Sequence, residues 1–153
     1  MSERDERSAR MVDVGAKDVT AREAVAECLF LAGAETIERL VAGTAKGDPV
    51  EAARIAGLMA VKRTPDLLPF CHPVAVTGAE VVVMPEPGAG RVVIRATVRA
   101  ADRTGVEMEA LTAAAVAALS LYDSAKAFER SARIADLRLM EKRGGKGGPY
   151  RAE

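Results

Sequence analysis

A lysine stands in the apolar stripe of the longest helical segment of this sequence. On a helical wheel of 3.6 residues per turn, Lys126 shares one side with five apolar residues: Met108, Leu111, Ala115, Leu119 and Tyr122. Asp123 precedes Lys126 by three residues, within side-chain reach. Because burial lowers the pKa of a lysine while a carboxylate and a helix C-terminus raise it, such a pair can transfer protons near neutral pH. The alternative is a surface ion pair with the lysine stem extended to solvent.

The single histidine of the chain, His72, lies in a Cys-His-Pro segment between two prolines, Pro69 and Pro73. The prolines restrict the backbone, which suits a base or a substrate ligand. A histidine that is simply hydrogen-bonded within its loop is the alternative. Neighbouring side chains of an extended segment point to opposite faces, so His72 does not activate Cys71 within one chain. Cys71 is interpreted as part of a pocket wall.

Two loops carry lysines beside glycines. Lys46 lies in AKGDP, and Lys142, Arg143 and Lys146 lie in EKRGGKGGP. Neither loop matches the pattern G-x-x-x-x-G-K-[ST] of nucleotide-hydrolysing P-loops. Exposed glycine amides and nearby cations can still bind phosphate groups. The alternative for the second loop is a flexible segment near the C-terminus.

The long helix that carries Asp123 is predicted over 105–129. A Thr104-x-x-Glu107 capping box can open it. Glu107 and Glu109 suit the positive end of the helix dipole, so helix stabilisation is one interpretation of these two carboxylates.

Two further helices are predicted before it. Residues 35–42 form a short amphipathic helix that stops at Gly43. The second begins at Asp48 with an Asp-Pro-x-Glu start and ends near Thr64, because the residue before a proline avoids the helical region. Its side chains at helical spacing form one predicted stripe: Ile55, Leu58, Met59 and Lys62.

Strands are predicted by β-branched residues and alternation. Residues 74–84 and 91–100 form a hairpin around EPGAG, and 133–140 are a last strand. Residues 20–31 fit period two and period 3.6 equally well, so the pattern leaves strand and helix open. If they form a strand, the order is β-α-α-β-β-α-β, an α+β sandwich of ferredoxin-like type, an antiparallel sheet with helices on one face.

Composition limits the class of protein. The 153 residues carry 22 basic and 22 acidic side chains, so no general positive field attracts nucleic acid. A hydrophobic content of 49% predicts a folded chain, and 30 alanines against three Phe, two Tyr and no Trp predict a thin core that favours association of subunits. Two cysteines and one histidine do not supply a structural zinc site.

The terminal residues and the length of the apolar runs predict the domain boundaries and the cellular location. Residues 1–10 carry six charges and are expected to form a disordered arm, followed by one catalytic domain over 11–148 and a flexible tail over 149–153. No apolar run approaches membrane-spanning length and the first residues contain no secretory signal, which predicts a cytoplasmic protein without a membrane partner.

Taken together, several segments resemble the cyclic pyranopterin monophosphate synthase family, the MoaC proteins of molybdenum cofactor biosynthesis. The resemblance extends over 11–148 and includes MVDVGAKDVTAREA, KGDP, RIAGLMAVKRTPDLLPFCHP, TGVEMEALTAAAVAALSLYD, KA and EKRGGKGG. LPFCHP and TGVEMEALTA are the most specific of these motifs. The chain departs from the family pattern at Ser124, where YDSAKA replaces YDM-x-KA, and at Gly147, where KGG replaces KSG.

The resemblance implies a ferredoxin-like fold, and hence a strand over 20–31. It also implies a lyase-type reaction that converts cyclised dihydroguanosine triphosphate to cyclic pyranopterin monophosphate with loss of pyrophosphate. Family members are hexamers built from dimers, with sites between subunits. No cofactor is implied; whether magnesium accompanies the triphosphate stays open.

The resemblance further assigns residues. Asp123 and Lys126 correspond to the acid/base pair of the family. The predicted substrate-binding residues are Phe70, Cys71, His72, Met108, Glu109, Glu107, Lys46, Lys142 and Lys146. From another class of function, a non-catalytic ferredoxin-like ligand-binding or scaffold module would leave the Asp123–Lys126 pair as a surface ion pair.

Overall fold

The structure is a computed structural model and describes residues 8–153. Its main elements are β1 (Thr20–Leu31), α1 (Ala34–Ala42), α2 (Pro49–Leu67), β2 (Val76–Glu86), β3 (Arg91–Asp102), α3 (Glu107–Ala125), β4 (Arg133–Arg143) and β5 (Tyr150–Arg151). A single 3₁₀ turn over Pro87–Ala89 joins β2 to β3. This order confirms the predicted α+β, ferredoxin-like arrangement.

The five strands form one antiparallel sheet in the order β2-β3-β1-β4-β5. Strand β1 lies at its centre, and its core-facing residues are Ala24, Ala26, Cys28 and Phe30. Alternate side chains of a strand point to opposite faces, so β1 supplies one buried face although its alanines favour a helix. Pairing with β3 and β4 therefore outweighs the local helix propensity.

Helices α2 and α3 pack against each other and cover one face of the sheet. Gly57 is the point of close approach, because a Cβ atom there would lie 2.9 Å from Val81 and 3.1 Å from the Ala113 carbonyl oxygen. The buried face of α3 is almost entirely alanine: Ala110, Ala113, Ala114, Ala117, Ala118 and Ala125 are buried beside Leu121. Small residues on both helices allow the two backbones to approach closely.

This packing corrects the predicted apolar stripes. In α3 the predicted stripe is split: Leu111 and Tyr122 are partly buried against the core, whereas Met108 and Leu119 are 41% and 55% exposed. In α2 the predicted stripe is exposed as well, with Ile55 at 50% and Met59 at 58%. The alanine and glycine faces pack in the core instead, because only they fit the short distance between the elements.

Several boundaries also differ from the prediction. Helix α2 starts at the predicted cap, where the Asp48 carboxylate accepts the backbone N–H groups of Val50 and Glu51, but it continues through Pro65 to Leu67. The Leu68 N–H still donates to the Thr64 carbonyl at 3.1 Å, which closes the last turn after the proline. Helix α3 is shorter than predicted; it starts at Glu107, behind Val106, without a side-chain cap.

The C-terminal segment also corrects a prediction. Residues 149–153 were expected to form a flexible tail, whereas Tyr150 and Arg151 pair with β4 as β5. A short edge strand thus ends the sheet. Residues 1–7 of the predicted N-terminal arm lie outside the described residues. In the described part of the chain, every helix is too short or too polar to cross a membrane.

Candidate active site

Asp123 lies between two lysines near the C-terminal end of α3. Its Oδ1 lies 2.8 Å from Lys126 Nζ, and its Oδ2 lies 3.0 Å from Lys46 Nζ. Lys46 also donates to the Asp123 backbone carbonyl at 3.2 Å. The sequence predicted the first pair from helical spacing, whereas Lys46 reaches Asp123 from the loop between α1 and α2.

The charges of this cluster hold one another in the ionised form. The hydrogen bond and charge of Lys126, followed by those of Lys46, lower the pKa of Asp123. In return the hydrogen bond and charge of Asp123 raise the pKa of Lys126. In the free chain both shifts therefore move the pKa values of Lys126 and Asp123 away from neutral pH, so the pair is held in its charged form and is not tuned there for proton transfer.

The exposure of the cluster corrects the expectation of a buried amine. The side chain of Lys126 is 53% exposed and that of Asp123 is 57% exposed. The side chain of Lys126 leaves the helix end on its outer side, because the alanine face of α3 occupies the core. Exposed ion pairs contribute little to stability, so this cluster is not explained by a role in holding the fold together.

At the other end of α3, Glu109 and Cys71 form a second pair. Glu109 is 1% exposed, and its Oε1 lies 3.7 Å from the Cys71 thiol. Among residues 8–153, its Oε2 is the buried side-chain oxygen without a hydrogen-bond partner. Burial raises the pKa of the Glu109 carboxyl, and burial together with Glu109 raises that of the Cys71 thiol to about 11. Both groups therefore favour their neutral forms.

The remaining predicted wall residues lie close to this pair in the chain. His72 follows Cys71 in the extended segment after α2 and is half-buried. Phe70 is 55% exposed and Met108 is 41% exposed. Large apolar side chains exposed beside a buried carboxyl group can contact a planar ligand or another subunit.

A cationic cleft of about 420 Å³ lies beside the start of α3. Its lining contains four basic side chains and two carboxylates, together with threonines and glycines; the charged residues are Lys17, Asp18, Arg22, Glu107, Lys142 and Lys146. Within it Lys142 Nζ lies 3.2 Å from Glu107 Oε1, and both side chains are less than one-third exposed. Four of these six charged side chains are basic, so the cleft keeps an excess of positive charge and can bind a polyanion such as a phosphate chain.

The glycines after β4 shape this cleft. Gly144 and Gly145 have φ values of 92° and 84°, which side chains rarely adopt. A Cβ atom at Gly144 would overlap the Ala21 carbonyl oxygen, and one at Gly145 would overlap the Arg22 guanidinium. At these two positions the segment is a tight, defined turn, and the alternative of a flexible glycine-rich segment does not hold for them.

Arg22 and Lys17 are cleft residues that the sequence reasoning did not identify. Arg22 is 8% exposed, and its guanidinium donates to the Asp102 and Arg103 carbonyl oxygens at 3.2 and 3.0 Å. The sequence could have indicated Arg22, because it lies two residues before Ala24 and four before Ala26, on the same face of β1 as these core residues. A charged residue in a core phase is expected to have a specific role.

The predicted residues therefore fall into groups at the two ends of α3. Asp123 lies 14 residues after Glu109, which at about 1.5 Å per residue separates them by about 21 Å along the axis. Lys46, Asp123 and Lys126 occupy one end. The other end holds Cys71, His72, Met108 and Glu109, with the cleft of Glu107, Lys142 and Lys146 beside it. One chain does not bring the two groups into a single pocket.

Metal ligands do not account for these groups. Within residues 8–153, no three His, Cys, Asp or Glu side chains are arranged to hold a metal ion together. The described side chains of these groups are of the types that transfer protons and bind anions.

Comparison with known proteins gives a consistent result. The sequence profile of the MoaC family matches residues 11–145. A cyclic pyranopterin monophosphate synthase of Parvibaculum lavamentivorans is 50% identical over 147 residues, which cover 95% of this chain and 92% of that protein. One of Roseiflexus sp. is 52% identical, with 93% and 90% covered. One of Streptomyces griseus is 54% identical, with 94% and 81% covered.

Proposed function

This chain belongs to the MoaC family, and on that basis we propose that it is a cyclic pyranopterin monophosphate synthase of molybdenum cofactor biosynthesis. The substrate is the 3',8-cyclised 7,8-dihydroguanosine triphosphate, and the products are cyclic pyranopterin monophosphate and pyrophosphate. In this proposal the enzyme is a lyase. The observation that carries it is the Asp123 carboxylate held between two ammonium groups at 2.8 and 3.0 Å.

The reaction needs repeated proton transfer. Opening the five-membered ring of the purine and closing a pterin ring moves protons on and off nitrogen and oxygen atoms, which positioned acids and bases accelerate. Lys126 enters the reaction protonated, because Asp123 raises its pKa. Asp123 enters ionised, because Lys126 and Lys46 lower its pKa. In this proposal Lys126 supplies the first proton once bound substrate changes the surroundings of the pair, and Asp123 keeps the amine in position to recover one.

The phosphate chain requires cations. Because the product is a cyclic monophosphate, a hydroxyl of the substrate must replace pyrophosphate at the α-phosphorus. The cleft of Arg22, Lys142 and Lys146 supplies positive charge for the triphosphate and for the leaving pyrophosphate. Proton transfer and this displacement require no redox cofactor, and magnesium can accompany the triphosphate as a counter-ion.

The base-recognition part of the site is assigned to the wall around Glu109. Phe70 and Met108 offer exposed apolar surface, and Cys71, His72 and Glu109 offer polar groups next to it. The Glu109 Oε2, which has no hydrogen-bond partner among the described residues, is available to a polar group that enters this end of the molecule. A ring nitrogen or amino group of the substrate fits that requirement.

The separation of about 21 Å along α3 supports a site completed by a second subunit. In that arrangement Lys126 of one chain meets His72 of another. The outer faces of α2 and α3 offer apolar surface for such association: Ile55, Leu58, Met59, Met108 and Leu119 are each between 37% and 58% exposed. This surface supports association of chains, and the proposal includes the homohexamer built from dimers and the cytoplasmic location that the sequence predicts.

The competing function is a non-catalytic ligand-binding or scaffold module. The exposure of Lys126 and Asp123 fits that alternative as long as the chain is considered alone. The two functions differ in turnover, because a binding module would retain the nucleotide without releasing pyrophosphate.

The decisive experiment supplies the cyclised nucleotide to the assembled protein. We expect stoichiometric release of pyrophosphate together with a pterin, which becomes fluorescent after oxidation. Binding of the nucleotide without release of either product would overturn the proposed function and favour the non-catalytic module. The oligomeric state of the same preparation, measured by sedimentation, tests the hexamer.

A further inference from the structure

Glu129 reaches from the turn after α3 to the first turn of α1. Its Oε1 accepts hydrogen bonds from the Gly33 backbone N–H and the Thr36 hydroxyl, each at 3.0 Å. Oε2 lies 3.3 Å from the same Gly33 N–H. Gly33 is the N-cap residue of α1, where no side chain of its own caps the helix. The Glu129 carboxylate thus caps α1 from a distant part of the chain.

This contact anchors the turn that carries Lys126. The N–H groups of Phe128 and Glu129 donate to the Ala125 carbonyl at 2.8 and 2.9 Å, which folds the turn back onto the end of α3. The Tyr122 hydroxyl donates to the Arg130 carbonyl at 3.0 Å and fixes the chain just beyond. Lys126 therefore lies at the start of a short turn fastened to α3 by these bonds and to α1 by Glu129.

Helix α1 links the same contact to Lys46. Lys46 follows the helix by four residues, in a turn closed by two 2.9 Å hydrogen bonds between Thr44 and Gly47. Ile37 and Leu40 hold α1 in the core, but apolar contacts are not directional. A hydrogen-bonded carboxylate at the N-terminus fixes the position of the helix along its axis, and with it the loop that carries Lys46.

We propose that Glu129 is a positioning residue that sets the geometry of Lys126 and Lys46 around Asp123. The proposal rests on the proposed function of these three side chains. Glu129 lies outside the pair itself; it acts through the turn on one side and through α1 on the other. Two ammonium groups from different elements reach one carboxylate. Glu129 ties those elements together by hydrogen bonds, beside the less directional contact of the Arg39 guanidinium with the Phe128 ring at 4.9 Å.

The first test compares Glu129→Ala with Glu129→Gln. Glu129→Ala is expected to lower kcat by about 10- to 100-fold, because misplaced reacting groups lose this much rate. KM is expected to change less than kcat, because Glu129 contacts neither the wall around Glu109 nor the cationic cleft of its own chain. The amide oxygen of Glu129→Gln can still accept from Gly33 and is expected to restore most of kcat.

The matched control is Glu38→Ala. Glu38 is an exposed carboxylate of α1, and it forms no ion pair or side-chain hydrogen bond with the rest of residues 8–153. This variant is expected to keep both kcat and KM. If Glu129→Ala matches Glu38→Ala in kcat, or if it raises KM with kcat unchanged, the positioning role is wrong.

A second variant tests the contact from its other side. A Cβ atom at Gly33 would lie 3.1 Å from Glu129 Oε1, while the φ of −63° at Gly33 suits alanine. Gly33→Ala is therefore expected to displace the carboxylate and lower kcat in the otherwise unchanged protein. In the Glu129→Ala background the same substitution is expected to have no further effect, since the two act through one contact. Additive losses would overturn the proposal.

A readout without substrate separates this proposal from the proposed function. Amide NMR signals of Lys126 and Lys46 are expected to shift in Glu129→Ala and to stay in place in Glu38→Ala. If the unaltered protein fails to release pyrophosphate, the proposed enzymatic function is wrong. The NMR shifts in Glu129→Ala would still show whether Glu129 positions the two lysines. Unshifted signals at both lysines would overturn the positioning even in an active enzyme.

Discussion

The ammonium of Lys126 lies 2.8 Å from Asp123 Oδ1, yet more than half of each side chain is exposed. Water screens an exposed pair, so its contribution to folding is small. A close pair with little structural value suits a role in chemistry that begins when substrate or a second subunit excludes water.

Lys126→Ala is expected to abolish most turnover without unfolding the protein. Loss of a general acid or base costs about 10²- to 10⁴-fold in rate, and the truncated side chain makes no core contact. Pyrophosphate release and the thermal midpoint, measured on the same preparation, check both statements. Arg130→Ala, a nearby exposed cation, is the control. A folded Lys126→Ala variant with the normal rate would contradict the assignment.

Lys46→Ala is expected to raise the pKa of Asp123 towards its ordinary value. Lys46 and Lys126 both lower that pKa by stabilising the carboxylate, so the removal of either cation makes protonation easier. The acidic limb of the pH–rate profile should therefore move to higher pH. Carbon NMR titration of the Asp123 carboxyl measures the shift directly, and an unchanged titration would show that Lys46 does not act on Asp123 in solution.

A mixture of two inactive variants is expected to recover activity. If each site combines Lys126 of one chain with His72 of another, co-assembly of Lys126→Ala and His72→Ala subunits leaves some sites with both native residues. Each variant alone is expected to remain inactive. Subunits are mixed under mild dissociating conditions and assayed for pyrophosphate release after reassembly. No recovery in verified mixed oligomers would mean that one chain supplies both residues.

Glu109→Gln is expected to flatten the dependence of stability on pH. Burial raises the pKa of this carboxyl in the folded protein, so the native state holds its proton more tightly than the unfolded chain does. Ionisation of the buried carboxyl therefore lowers the free energy of unfolding. This loss is absent below the pKa of the unfolded chain and complete above the pKa of the folded protein, and it amounts to about 1.4 kcal/mol for each pH unit between the two pKa values.

The neutral amide of Glu109→Gln does not titrate. As pH rises above the pKa of about 4.3 that the group has in the unfolded chain, the free energy of unfolding of the variant should therefore increase relative to that of the unaltered protein. Denaturant titrations at several pH values measure this difference. Parallel curves for the two proteins would show that Glu109 ionises as easily in the folded state as in the unfolded chain.

The sequence by itself determined the elements with strong local signals. In β3, Val92, Ile94, Ala96 and Val98 alternate with arginines and face the core as predicted. The Asp48 cap starts α2 at the predicted position. Such patterns depend on neighbours within a few residues, so they can be read without tertiary information. For β1 the spacing of apolar residues fits a strand and a helix equally well, and the strand is predicted only through the family resemblance.

Only the tertiary structure decided which faces of α2 and α3 are buried. The stripe of Met108, Leu119 and Lys126 is a valid apolar stripe on a wheel, but the alanine face of α3 packs against α2 and the sheet. A helical wheel counts hydrophobicity, whereas packing also depends on how closely two backbones can approach. For this reason the buried lysine predicted from the sequence is an exposed one.

The tertiary structure also decided which distant residues meet. Spacing gave the pair Asp123 and Lys126, because three residues on a helix fix a distance. Three other contacts depend on how separate elements pack: Lys46 with Asp123, Cys71 with Glu109, and Glu129 with Gly33. Such contacts have no local period in the sequence, since they follow from the path of the chain through three dimensions.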